Sequence, residues 1–114
     1  MRYCRIDARA LVDGSALHKA LAEAFGFLPT YGRNLDALID CLSALDNPKA
    51  GMSRVQVFPG QVLLLVIDHV DDCGATVAGV KAQIRVLSDV VAFVNFRRLE
   101  QGQGPVLALA HEPI

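Results

Sequence analysis

The chain has 114 residues, 53% hydrophobic and 20% charged, a composition that fits one folded domain with one core and excludes a disordered chain. Eleven basic residues stand against twelve acidic ones, and the net charge of −1 gives no bulk attraction to nucleic acid or to an anionic membrane. The longest apolar run, Val62-Leu63-Leu64-Leu65-Val66-Ile67, falls far short of the roughly 20 residues that span a bilayer.

Residues Tyr3 to Ala8 alternate, with Cys4, Ile6 and Ala8 on one side, as a short strand does. Asp13-Gly14-Ser15 offers a turn and a helix N-cap. Leu17, Leu21 and Phe25 then recur every fourth residue, with Ala20 and Ala24 beside them, up to Gly26 as a C-cap. Phe27 to Arg33 is a connector punctuated by Pro29 and Gly32. Asn34 is placed to cap a second helix running to about Leu45, which Asp46-Asn47-Pro48 ends. The segment from Asp46 to Gly60 is long for a connection in a compact domain, and Val55, Val57 and Phe58 predict an extra edge strand within it.

Val62 to Ile67 is apolar on consecutive residues, the pattern of a strand buried on both faces in a parallel sheet covered by helices. Thr76 to Leu99 reads as two helices broken near Ser88-Asp89. The β-branched run Val90-Val91-Ala92-Phe93-Val94 also suits a strand, but its length and polar end favour helix. Gly102 and Gly104 stop it, and Pro105 to Ala110 forms the third strand. The order is β-α-α-β-α-α-β, and right-handed crossovers make this an α/β fold, a small three-stranded parallel sheet packed by about four helices, in one domain over residues 1–114. Cys4, Cys41 and Cys73 are odd in number and lack C-x-x-C spacing, and Met1 to Asp7 has no signal-peptide core. Free thiols in a reducing cytoplasm are expected.

The second helix sorts its side chains into two sets. Leu35, Leu38, Ile39, Leu42 and Leu45 form an apolar stripe, while Asp36, Asp40 and Ser43 point to water. Two acids at i,i+4 repel by a few tenths of a kcal/mol, so helix stability does not ask for them. Residue types alone still allow a plain explanation: Asp36 complements the helix dipole, Asp40 is a surface acid, and Tyr31 packs at the helix entrance.

The whole string says more. Tyr31-Gly32-Arg33-Asn34-Leu35-Asp36-Ala37-Leu38-Ile39-Asp40-Cys41-Leu42 closely resembles the signature of the barstar family, Y-G-x-N-L-D-A-L-x-D-x-L. These are intracellular protein inhibitors of a secreted bacterial ribonuclease. The resemblance extends to the order of elements, and Ala92 to Arg98 and Pro105 to Ala110 look like those of longer bacterial members. It implies a cytoplasmic inhibitor, not an enzyme and without a cofactor. Its expected partner is a ribonuclease or ribonuclease-like toxin made by the same cell, with no nucleic acid or membrane involved and a monomer when free. By position, Asp40 would enter the phosphate-binding pocket and Asp36 would pair with a cation on its rim. Tyr31 would lie over the enzyme's catalytic histidine or base-binding surface, Gly32 would let the backbones approach, and Asn34 would cap the helix. Arg33 and Ala37 complete the implied contact surface.

Departures from the family pattern bear on the target. Arg33 stands where barstar has an acid, Thr30 replaces an aromatic, Ile39 replaces a tryptophan, and Asn95 falls where another interface acid is expected. These departures make a different ribonuclease, or another basic toxin, the expected target. Two alternatives remain at this level: a ligand- or metal-binding domain using His69, Asp71, Asp72 and Cys73 at the end of the second strand, or a barstar-like module with a non-nuclease partner. Cys41 is expected to be a buried or half-buried thiol, and Arg97-Arg98 a basic pair favoured by the helix dipole.

Overall fold

The computed structural model describes residues 2–114. Its elements are β1 (Arg2–Asp7), α1 (Gly14–Phe25), α2 (Leu35–Ser43), β2 (Leu63–Asp68), α3 (Val77–Glu100) and β3 (Leu107–His111), with short 3-10 turns between them. The three strands form a parallel sheet in the order β1-β2-β3, with Cys4 beside Leu65 and Leu65 beside Leu109. This is the expected α/β fold, with three α-helices rather than four.

The sheet is covered on one face only, which corrects the expectation of strands buried on both. Cys4, Ile6, Leu63, Leu65, Ile67 and Leu107 face the core, while Tyr3, Arg5, Leu64, Val66, Ala108 and Ala110 face outward, exposed or half-exposed. The strand order explains this. Both crossovers step in the same direction, and two right-handed crossovers that do so deliver their helices to the same face. On the outer face Arg5 Nη1 donates to Asp68 Oδ1 at 3.0 Å, linking β1 to β2.

α1 begins where Asp13 Oδ1 accepts from Ala16 N at 2.8 Å and ends at Gly26, which takes a left-handed φ of 67°. Leu17, Leu21 and Phe25 are its buried stripe. α2 stops at Ser43, two residues short of the expected end, and Leu45 stays in the core beyond it. α3 is one helix, not two. Val80, Ile84, Leu87, Val91 and Val94 are all buried, at alternating spacings of four and three, so the core stripe runs straight through Ser88-Asp89. With no glycine or proline there, an exposed Ser-Asp pair costs too little propensity to break it.

No edge strand forms at Val55 to Phe58. The amides of this segment go instead to carbonyls at the end of α1 and in the turn after α2: Arg54 and Val55 N–H donate to Phe25 O at 3.1 and 3.0 Å, and Val57 N–H to Leu45 O at 2.9 Å. Phe25 O is one of the carbonyls that the end of a helix leaves without an intrahelical partner, so the loop supplies one. An isolated antiparallel bridge, Phe27 to Ser53, is all the strand pairing it makes.

Arg98 is the one buried cation among the described residues. Its Nε donates to Gly104 O at 2.8 Å, its Nη1 to Ser43 O at 2.8 Å and to Asp46 Oδ1 at 2.9 Å, and its Nη2 to Asp46 Oδ2 at 2.6 Å. One side chain thereby ties the end of α3 to the end of α2 and to the turn before β3. The helix dipole alone, expected to account for the Arg97-Arg98 pair, describes Arg97 but not Arg98. Asn95 is similar in kind: its Nδ2 donates to Leu107 O at 2.9 Å and its Oδ1 accepts from Val106 N at 3.0 Å, fixing the start of β3.

Gly79, in the first turn of α3, lies against the loop before α1. A Cβ there would sit 2.5 Å from Val12 O. Alanine improves helix propensity by about 1 kcal/mol, but overpacking against backbone costs about 1–3 kcal/mol. Gly79→Ala is therefore expected to lower stability by up to about 2 kcal/mol in urea unfolding, against the propensity trend.

No helix among the described residues is long and apolar enough to cross a membrane.

Candidate functional site

The site is built on the entrance to α2. Asn34 takes an extended conformation and its Oδ1 accepts from Ala37 N at 2.8 Å, so the first turn is capped as its sequence requires. The same side chain reaches back, Nδ2 donating to Gly32 O at 3.3 Å. One asparagine thus holds both the helix and the loop before it. Space at Gly32 is tight: an added Cβ would lie 3.2 Å from Asn34 Nδ2 and 3.3 Å from the Ala37 methyl. Between them Arg33 is held at a left-handed φ of 52°, a conformation that costs a non-glycine residue on the order of 1 kcal/mol and that this bridge sustains.

Asp36 and Asp40 project into solvent, and neither accepts a hydrogen bond or an ion pair among the described residues. Asp36 stands in the first turn, where the helix dipole favours it. Asp40 stands at the mouth of a cavity of about 180 Å³, with Tyr31, Gly32 and Ala37 around it and Leu28, Cys41 and Met52 as its apolar wall. Of the residues singled out in the sequence, the structure brings Tyr31, Gly32, Ala37 and Asp40 to this cavity. Arg33, Asn34 and Asp36 lie outside it on the same ledge, with Arg33 on a separate groove beside Lys19 and Glu23.

Tyr31 is half-buried and fixed from behind. Its ring packs on Phe27 at 4.8 Å between centroids, and Phe27 stacks on Phe25. Its hydroxyl is 2.5 Å from His18 Nδ1. Burial pushes the tyrosine up to about 12, so the phenol stays protonated and can donate to a neutral imidazole. His18, on α1, is the residue that sequence reasoning missed; its only signal was a histidine on the apolar side of that helix, next to Leu17. Burial, and then the nearby Arg33 charge, lower its pKa. The unfolded chain therefore takes up a proton before the folded one does. Stability is complete above the unfolded value of about 6.5 and is lost as pH falls through it toward the folded value. Thermal unfolding between about pH 7 and pH 5 is expected to show a falling melting temperature, and His18→Leu to flatten that slope.

A family model described as Barstar (barnase inhibitor) matches residues 1–104. The chain belongs to the barstar family. No curated protein sequence matches it at a significant level.

Within the barstar frame the departures acquire positions. Ile39 is half-buried against the core rather than presented as a broad aromatic surface, and Leu35 beside it is exposed. Asn95, where an interface acid was expected, is engaged with β3 through both its Nδ2 and its Oδ1. Cys41 is buried, with its thiol pushed up by burial and by Asp40, so it is a wall and not a nucleophile. The end of β2 does not assemble a metal centre among the described residues. There Asp72 pairs with Arg9 at 3.3 Å, and Cys73 Sγ donates to His69 O at 3.4 Å.

Proposed function

We propose that this barstar-family protein binds a ribonuclease or ribonuclease-like toxin and blocks its active site with α2 and the loop before it. The observation that carries this is Asp40, an unpaired carboxylate on a capped helix at the mouth of a preformed cavity. A nuclease site gathers cationic groups around a phosphate, and a carboxylate fixed on a rigid element substitutes for that phosphate at little ordering cost. Asp36, one turn earlier, is free to meet a second cation. Tyr31 lines the cavity with its hydroxyl proton engaged by His18, so it offers a partner its ring and an acceptor oxygen rather than a donor. Arg33 sets a condition on the partner: the rim opposite it is acidic or neutral, because like charges across an interface cost affinity. A net charge of −1 makes electrostatic steering modest, so association is not among the fastest.

The test is titration of a panel of small bacterial ribonucleases, including any basic toxin encoded beside this chain, with activity read on RNA. Stoichiometric loss of activity of at least one enzyme is expected. No inhibition across such a panel would leave the motif as inherited scaffold with a non-nuclease partner.

A further inference from the structure

α3 carries large apolar residues on both of its sides. Its inner stripe belongs to the core, yet Phe93, Phe96 and Leu99 are 46%, 60% and 59% exposed. At about 100° per residue they share the outer face with Arg85, Asp89, Ala92, Arg97 and Glu100. Arg98 points the opposite way, into its contacts with Ser43 and Asp46, so the outer face looks away from the end of α2.

The charges on this face have an order. Asp89 lies four residues before Phe93 and Arg97 four after; Arg85 lies eight before and Glu100 seven after. The sign therefore inverts on passing through Phe93. A second copy of the helix laid antiparallel across Phe93 sets Asp89 against Arg97 and Arg85 against Glu100, each pair occurring twice by two-fold symmetry. None of these four residues has an ion-pair partner among the described residues. The Arg97 guanidinium lies over the Phe93 ring at 5.8 Å, which keeps it at the edge of the aromatic patch. A parallel copy would use the aromatic residues but would waste the charge order.

We propose that a second copy of this chain packs antiparallel against the outer face of α3, giving a two-fold dimer centred on Phe93. A single helix face covers less than the roughly 800 Å² per partner of a standard stable interface, so the dimer is weak and forms only at high concentration. At low concentration the free chain is then a monomer. The dimer face is opposite the side of α3 that Arg98 turns toward the end of α2, and sedimentation tests it without any ribonuclease present.

Sedimentation velocity from about 5 to about 500 µM tests it, with reversible dimer expected in the upper part of that range. Phe93→Asp should weaken association at least tenfold. Asp89→Arg and Arg97→Asp each bring like charges together twice and should do the same, while the double variant D89R/R97D should recover to within about threefold of the parent. All three positions lie on the outer face, away from the core, and circular dichroism checks that each variant is folded. A parent that stays monomeric to the top of the range overturns the proposal. So does a dimer indifferent to Phe93→Asp, or a double variant as weak as either single one.

Discussion

Asp40→Ala is expected to weaken binding to the target ribonuclease by at least a hundredfold while leaving the melting temperature within about a degree of the parent. The two halves of this result have separate causes. In the free protein Asp40 touches nothing that its loss would orphan: it is exposed, unpaired and on the outer side of α2. In the complex its carboxylate would be desolvated among cations, and removing one partner of such a pair leaves the others buried and unpaired. That costs about 2–5 kcal/mol or more, a range drawn in part from a barstar complex and so borrowed from a relative. At 1.4 kcal/mol per decade the middle of the range is a few hundredfold. Asp36→Ala should cost less, because a rim pair keeps contact with water and salt. Asp71→Ala, an exposed acid at the end of β2, serves as the control and should change nothing. Equilibrium binding by calorimetry, or inhibition constants at matched ionic strength, measures all three. Equal affinity of the parent and Asp40→Ala would refute the carboxylate plug even if inhibition itself were found.

Arg98→Ala is expected to be the most destabilising of these substitutions, by about 3–5 kcal/mol, because breaking a buried pair strands its partner. The Arg98 side chain is 5% exposed and that of Asp46 15%, so water is poorly placed to replace the guanidinium. Two main-chain carbonyls, Ser43 O and Gly104 O, lose their donor at the same time. For a domain whose total stability is typically about 5–15 kcal/mol, this is a drop in melting temperature on the order of 15 °C or more. The pair also has a pH signature. The hydrogen bond from Arg98 holds the Asp46 carboxyl below its ordinary value, with burial working in the opposite direction. A depressed folded-state value means a contribution complete above the unfolded value of about 3.9 and lost as pH falls through the folded one. Asp46→Asn should therefore be less stable than the parent at pH 7, and the gap should narrow below about pH 4. Asp7, held at about 2 by its hydrogen bond from Arg9, makes both proteins acid-sensitive, so the comparison between them isolates Asp46. A gap that stayed constant to pH 2.5 would show that the pair contributes through shape alone.

Much of the fold was legible because it depends on short-range periodicity. The four-residue spacing of Leu17, Leu21 and Phe25, the capping Asn34, and the apolar runs that became β2 and β3 each declare their element locally. Where local signals competed, the outcome turned on contacts. Ser88-Asp89 resembles a helix break, but the buried stripe from Val80 to Val94 overrides it. Val55, Val57 and Phe58 resemble a strand, but the free carbonyl at Phe25 and that of Leu45 take their amides.

The sequence by itself determined most of the element types, the α/β class, the family and the acidic ledge of Asp36 and Asp40, since each is written in residues a few positions apart. Only the tertiary structure decided that one sheet face stays open, that His18 holds Tyr31 from 13 residues away, and that Arg98 reaches Asp46 across 52. The physical reason is range. A periodic pattern fixes the angle at which a side chain leaves its own helix or strand, but not which distant group meets it. That meeting depends on the strand order and on how the helices lie over the sheet, and these arise only when the whole core closes.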